Sequence, residues 1–176
     1  NIAGAEGLTK VYDGLPAAVE AEAARPGSTL LYSVDGENFT DEAPEFTDAG
    51  SYDVYVMATN PNYDDTPVVR ATLTVNPAPV VVTAGDAAKV AGEADPTFAA
   101  EVSGLVNGES ADLINYTMTR EAGEDAGTYA VVPTGAAIQG NYEVTYVPGT
   151  LTISAAPVVP PVPTDPTTPT DPTTPT

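Results

Sequence analysis

Apolar and polar residues alternate with a period of two wherever this chain shows a pattern. Tyr52, Val54 and Val56 fall on one side of such a stretch, with Ser51, Asp53 and Tyr55 on the other. Side chains of a strand point to opposite faces in turn, so this spacing predicts a half-buried strand. Val69, Ala71, Leu73 and Val75 alternate with Arg70, Thr72 and Thr74, and Leu30, Tyr32 and Val34 with Leu31 and Ser33. Tyr142, Val144 and Tyr146 alternate with Glu143 and Thr145, and Tyr129 and Val131 continue the theme. Turn signals stand between the runs at Asp35-Gly36, Asn60-Pro61-Asn62, Asn107-Gly108 and Pro148-Gly149. Asp35-Gly36 predicts a two-residue hairpin, because a type I′ turn needs positive φ at both central residues. Ala17 to Ala24 has helix-forming composition, but Pro16 and Pro26 bracket it, and it is read as a strand or a short turn of helix. The predicted class is mainly β.

Four landmarks recur in order. Lys10-Val11-Tyr12-Asp13-Gly14 is echoed by Lys89-Val90-Ala91-Gly92, and Asp48-Ala49-Gly50-Ser51-Tyr52-Asp53-Val54 by Asp125-Ala126-Gly127-Thr128-Tyr129-Ala130-Val131. Asn62-Tyr63 returns as Asn141-Tyr142, and Ala71-Thr72-Leu73-Thr74-Val75 as Gly149-Thr150-Leu151-Thr152-Ile153. Matching spacing over four landmarks predicts two small tandem β domains, 1–76 and 77–155, near the lower size at which one core suffices. Gly50 and Gly127 fit a turn that demands positive φ or close backbone approach. The boundary falls at Asn76-Pro77-Ala78-Pro79. Two prolines so close are not expected within a central strand, where each lacks a ladder donor, and they predict a short, stiff connector. From residue 156 the composition changes to Pro, Val and Thr, with eight prolines in 21 residues. Such a stretch favours extended polyproline II and would reach roughly 65 Å at ~3.1 Å per residue, which predicts a Pro/Thr-rich spacer over 156–176.

Charge narrows the partners. The chain carries 25 acidic residues against 5 basic ones, a net charge of -20. Such a surface excludes nucleic acid, whose affinity comes from Lys and Arg on phosphates, and disfavours anionic membranes. No apolar run approaches the ~18 residues of a membrane-spanning helix, so no membrane insertion is expected. The chain has no Cys, hence no disulfide, and no His. Asn1-Ile2-Ala3-Gly4 has neither a basic n-region nor an apolar core, so the expectation is a monomeric segment of a longer chain.

Residues 79–154 resemble the MBG-type (mucin-binding, β-grasp-like) repeats of bacterial surface proteins. The likeness rests on Lys89-Val90-Ala91-Gly92-Glu93-Ala94-Asp95-Pro96, Val102-Ser103-Gly104-Leu105-Val106-Asn107-Gly108-Glu109-Ser110, Arg120-Glu121-Ala122-Gly123-Glu124, Gly127-Thr128-Tyr129, Gly140-Asn141-Tyr142 and Gly149-Thr150-Leu151-Thr152-Ile153. Ala91 departs from it, since the family usually carries Tyr there. The first unit is similar to related repeats with Tyr-Asp-Gly near the start, through Tyr12-Asp13-Gly14, Tyr32-Ser33-Val34-Asp35-Gly36, Pro44-Glu45-Phe46-Thr47-Asp48-Ala49-Gly50 and Asn62-Tyr63. The resemblance implies a β-grasp-like fold and adhesion, in long secreted or wall-attached proteins of Gram-positive bacteria. An Ig-like sandwich is the other architecture the strands allow. The tail is similar to wall-spanning stretches that precede a sorting signal.

Catalytic chemistry is not expected, because the commonest general base and the thiol nucleophile are missing. No cofactor is expected. Asp41-Glu42-Ala43-Pro44-Glu45 and Asp64-Asp65 could offer oxygens to Ca²⁺, which takes 6–8 of them, but scattered surface charge is the preferred reading. Tyr12, Tyr55, Tyr63 and Tyr142 are the candidate ligand contacts. They could stack on sugar rings of a host glycan or mucin, as Tyr52 and Tyr129 also could, although recurrence at matched positions points rather to core packing. Lys10 and Lys89, the only lysines, sit at equivalent positions, where an isopeptide cross-link to Asn or Asp is one option and a solvated strand-start lysine the preferred one. Asn38-Phe39-Thr40 and Asn115-Tyr116-Thr117 match the glycosylation sequon and are expected to be bare. The function predicted is a non-catalytic extracellular stalk. The alternatives are a direct glycan- or host-protein-binding module and an accessory domain of a secreted enzyme.

Overall fold

The computed structural model describes residues 2–158. From residue 159 on, the expected Pro/Thr-rich spacer lies outside the described residues. The protein is mainly β. Its strands are β1 (Ile2–Ala3), β2 (Leu8–Val11), β3 (Ala17–Ala18), β4 (Glu22–Ala23), β5 (Thr29–Ser33), β6 (Glu45–Phe46), β7 (Gly50–Thr59) and β8 (Val69–Asn76). There follow β9 (Ala78–Ala84), β10 (Ala87–Val90), β11 (Ala100–Ser103), β12 (Thr117–Arg120), β13 (Gly127–Thr134), β14 (Ile138–Gln139), β15 (Tyr142–Val147) and β16 (Gly149–Ser154). Among the described residues the only helical turn is a 3₁₀ segment at Ala111–Leu113.

The alternating residues build a four-stranded sheet of order β2-β8-β7-β5, in which β2 runs parallel to β8 and the other pairs are antiparallel. Its inner face buries Val54, Val56, Ala58, Ala71, Leu73 and Val75. Two short antiparallel pairs, β1·β4 and β3·β6, flank it. Ala17 to Ala24 therefore resolves into strand pieces. Residues 78–154 form two more four-stranded sheets, β11-β9-β15-β14 and β10-β16-β13-β12, and β13 of one packs against β9 and β15 of the other.

The repeat reappears in the hydrogen-bond register. In β2-β8-β7-β5 and in β10-β16-β13-β12 the first strand runs parallel to the last, with Lys10 opposite Val75 and Lys89 opposite Ile153. Tyr52 faces Leu73 and Tyr129 faces Leu151 in the antiparallel ladders. Each of these tyrosines donates its hydroxyl to the carbonyl four residues back, Tyr52 to Asp48 at 2.9 Å and Tyr129 to Asp125 at 3.0 Å. The bond ties the strand start to the turn before it. Gly50 is needed here for close approach, since a Cβ would lie 2.9 Å from the Tyr52 hydroxyl; at Gly127 the same distance is an ordinary 3.9 Å.

Several expectations are corrected. Val34 lies beyond β5 and is 60% exposed, so only Leu30 and Tyr32 of that alternation turn inward. Asp35-Gly36 is not a two-residue hairpin: Tyr32 and Thr40 exchange backbone bonds of 2.7 and 2.9 Å around a longer loop. Asp35 holds that loop by accepting from the N–H groups of Glu37 and Asn38, each at 2.8 Å, and these bonds depress its carboxyl far below the usual range. The paired positive φ occurs instead at Asn107 (54°) and Gly108 (72°), where the N–H of Glu109 closes the turn on the carbonyl of Val106 at 3.1 Å. Pro79 does sit in a central strand. The N–H of Ala78 donates to Asn141 of the β15 side, so the alternating Pro79 nitrogen faces the other edge. Pairing with β11 starts only at Val81, so no ladder bond is lost there.

Leu73 and Leu151 are fully buried at equivalent positions. Truncation of either to Ala is expected to lower unfolding free energy by about 2–5 kcal/mol. Val34→Ala should stay within about 0.5 kcal/mol, as surface changes do. Denaturant titration of the three variants measures the contrast.

Candidate functional site

Only Pro77 separates β8 from β9, and the residues around that step meet one another. Tyr12, just past β2, packs edge-on against Tyr142 at the start of β15, with ring centroids 5.6 Å apart and planes at 87°. Both hydroxyls donate to one carboxylate, that of Glu109: Tyr12 to Oε1 and Tyr142 to Oε2 at 2.7 Å. Tyr142 also accepts the N–H of Val106 at 3.2 Å. The Asn107-Gly108 turn aims Glu109 inward. Its Asn107 side chain lies against Gly14, where a Cβ would meet the Asn107 Cβ at 2.7 Å and where φ is +74°. On a second edge Asn141 accepts the N–H of Ala49 at 2.7 Å and donates to Asp48 at 3.0 Å.

Tyr12 is 6% and Tyr142 2% exposed. The hydrogen bond to Glu109, then burial, push the Tyr12 phenol up to about 12; burial first, then Glu109, raises Tyr142. Of the candidate ligand contacts, Tyr12 and Tyr142 are thus buried and packed on each other. Tyr55 projects from β7 between Ser33 and Arg70 of the neighbouring strands and covers Gly36. Tyr63 is 57% exposed, and the Arg25 guanidinium lies 4.3 Å above its ring. With Ser28, Asn60, Asp64 and Asp65 these two line an open cleft of about 290 Å³. Among the described residues no three acidic groups converge as a metal site would require.

Lys89 departs from the solvated lysine expected. Its side chain is 3% exposed, and Nζ donates to Asp95 at 2.7 Å, Glu124 at 2.5 Å and the carbonyl of Glu93 at 3.1 Å. Arg120 closes the ring, with Nε 2.7 Å from Asp95 and Nη2 on Glu124, while Nη1 reaches the carbonyls of Glu121 and Gly123. Lys10 makes a simpler pair with Asp13 at 2.7 Å. A buried Lys beside Asp and Glu has the residue types of an amide-forming site, but the charges run the wrong way. Condensation needs a neutral amine and a protonated carboxyl. Here Asp95 first and Glu124 second hold the Lys89 ammonium up, and Arg120 first and Lys89 second hold the Asp95 carboxyl down. Arg70 pairs with Asp53 at 2.6 Å. Each of the five cations is thus engaged locally, four with carboxylates and Arg25 with a ring.

The sequence reading did not pick out Glu109 as a junction residue, nor Asp95, Arg120 and Glu124 as partners of Lys89. Arg120 carried a usable signal, being one of five cations in so acidic a chain. Glu109 carried none, since its role comes from two tyrosines 97 and 33 positions away.

Residues 80–152 match the model of the MBG domain (YGX type), a family of non-catalytic repeat domains found in bacterial surface proteins. That is the family the second unit resembles. No curated protein matches. Solved structures similar to the chain include the fibronectin(III)-like modules of Clostridium thermocellum CbhA, at 14% identity over 88% of this chain and 94% of that one, with a TM-score of 0.26. Another is Drosophila N-cadherin EC1-3, at 13% identity over 86% of this chain, with a TM-score of 0.27. This chain spans 65% of that cadherin chain. At such scores neither likeness bears on fold or function. Among the described residues no helix is long and apolar enough to cross a membrane.

The Lys89 cluster gives a pH signature. Asp95 and Glu124 are held below their ordinary carboxyl values, so their contribution is complete above about pH 4 and fades as pH falls through the depressed values. Lys89 is raised, so its contribution is complete below about pH 10.4 and fades as pH rises beyond that. Acid unfolding followed by circular dichroism should shift to higher pH in Lys89→Met. Intact mass of the parent chain should equal the value calculated from its sequence, with no loss of ammonia or water.

Proposed function

We propose that this segment is a non-catalytic extracellular spacer of a Gram-positive surface protein, built from two β domains, 1–76 and 77–155, and continued by the Pro/Thr-rich stretch. The observation that carries it is the junction. One apolar cluster runs from Val54, Leu73 and Val75 through Ala78 to Val80, Val82 and Tyr142, and Glu109 clamps a tyrosine from each side. A spacer needs its units held at a fixed angle, and a buried, doubly hydrogen-bonded contact across a one-residue connector supplies that. The match of 80–152 to a non-catalytic family of surface proteins and the absence of His and Cys support the same reading.

For the architecture the Ig-like sandwich is favoured over the β-grasp. A β-grasp sheet wraps a helix, whereas two facing four-stranded sheets and a tyrosine that hydrogen-bonds back to its own turn, as Tyr129 does, are features of the Ig-like class.

A second reading has one observation behind it. The cleft of Arg25, Asn60, Tyr63, Asp64 and Asp65 offers an aromatic ring, a cation and carboxylates to a host glycan. A glycan array with the full chain separates the two: binding abolished by Tyr63→Ala selects the binding module, and silence at high protein concentration selects the spacer.

The spacer reading also sets the dynamics. Nitrogen-15 relaxation on the full chain should return one shared rotational correlation time for residues 8–76 and 78–154, and two in Tyr12→Ala. That truncation should lower stability by about 3–5 kcal/mol, as loss of a buried aromatic does. The parent should lose stability as pH rises from about 10, the ordinary phenol value, through the raised value of about 12, because the folded state keeps a proton that the unfolded chain releases.

A further inference from the structure

Tyr12 and Ala91 are the same position in two copies. Each is the residue after the Lys-Val that ends its strand, and each donates its N–H to the carbonyl of the residue ending the parallel partner strand: Tyr12 to Asn76 and Ala91 to Ser154, both at 2.8 Å. The backbones agree up to this residue and then turn at different glycines, Gly14 and Gly92, and the side chains differ. In the first copy the side chain crosses the step at Pro77 and seats on Tyr142 and Glu109 of the next. In the second, a methyl group lies against the cluster of Ala84, Val131, Leu151 and Ile153 and reaches nothing beyond its own copy.

The receiving side is unequal in the same way. Tyr142 pairs back to Gln139 across a two-residue turn, and Tyr63 pairs back to Asn60 across another, so these tyrosines also correspond. Above Tyr142 stands Glu109, delivered by the long segment between β11 and β12. The segment between β4 and β5 is short, delivers no such carboxylate, and instead lays Arg25 over the Tyr63 ring. The donor tyrosine and the receiving carboxylate therefore each occur once, on opposite sides of a single step.

We propose that the residue closing the first strand is the coupling residue of these repeats: a tyrosine there locks a copy onto a following copy that carries the Glu109–Tyr142 receptor, and the alanine at 91 leaves the second copy uncoupled to any copy placed behind it. The partner of the receptor is thus a repeat that carries tyrosine directly after its Lys-Val strand. This stands on the junction geometry, and the outcome of the glycan array does not bear on it.

The test inserts a second copy of residues 77–155 directly after Ser154 of the full chain, so that its Pro77 reproduces the one-residue connector. With Ala91 present, the added copy should show its own rotational correlation time. With Ala91→Tyr and Glu93→Gly, the second change supplying the glycine that stands at 14 against Asn107, it should adopt that of the rest, and spectrophotometric titration should show one additional phenol near 12, as Tyr12 has, rather than near the ordinary value of about 10. An added copy already rigid with Ala91 overturns the proposal, and so does the doubly substituted chain if it stays uncoupled with its new phenol near 10. Tyr12→Ala in the parent chain gives an independent arm that needs no new folding: the two copies should separate in relaxation, and copies still tumbling together would equally overturn it.

Discussion

Glu109 has two carboxylate oxygens, and each is taken by a tyrosine hydroxyl from a different side of Pro77. Both tyrosines are buried, and a buried hydroxyl is costly unless it is hydrogen-bonded, so each ring is tolerated there only while Glu109 accepts from it. This makes the contact mutual. Tyr12 cannot be seated without the turn at Asn107-Gly108, the turn cannot approach without Gly14, and Tyr142 is set by the start of β15. The pairing of β9 with β15, and through it the facing sheets of residues 78–154, begins at the residue that the connector delivers. Fixing one polar contact thus fixes the direction in which the second set of sheets leaves the first.

Such small cores have little apolar material to spare. The buried aliphatics are mostly Val and Ala, with Leu73, Ile114, Leu151 and Ile153 as the larger members. What replaces a larger core is local polar closure: Tyr52 and Tyr129 tying strand starts to turns, Asp35 organising a loop, and the Lys89–Asp95–Arg120–Glu124 ring holding β10 to the segment before β13. With four of five cations spent on intramolecular carboxylates, the remaining acidic excess faces solvent. Net negative charge of that size keeps a chain soluble and apart from its neighbours, a useful property where many copies stand close on one surface.

Much of the fold was legible in the sequence because the relevant signals are short-range. Alternation at 51–56, 69–75 and 142–146 marked strands and their buried faces, and the recurring Asp-Ala-Gly…Tyr marked two equivalent turns. The readings that failed are those decided by partners far along the chain. Asp35-Gly36 has the composition of a tight turn, but the Tyr32–Thr40 pairing outside it sets a wider loop. Pro79 was placed outside any central strand because its neighbours on either edge could not be foreseen, and one of those edges stays open at that point. Recurrence at matched positions pointed to core packing for Tyr12 and Tyr142, but only the fold shows that they face each other across Pro77. Lys89 looked like a solvated strand-start residue until Asp95, Glu124 and Arg120 were brought around it from three segments.

The parallel pairing of each Lys-Val strand with the strand that closes its copy, β2 with β8 and β10 with β16, has a mechanical meaning. When a chain is pulled from both ends, an antiparallel terminal pair opens one hydrogen bond at a time, like a zipper. In the parallel pair of β2 and β8 the load enters at the Leu8 end of one strand and leaves at the Asn76 end of the other, so the ladder is loaded in shear and all its bonds resist together. The Lys10 and Lys89 strands are then tension clamps. Pulled between its two ends, the chain would yield last at these ladders.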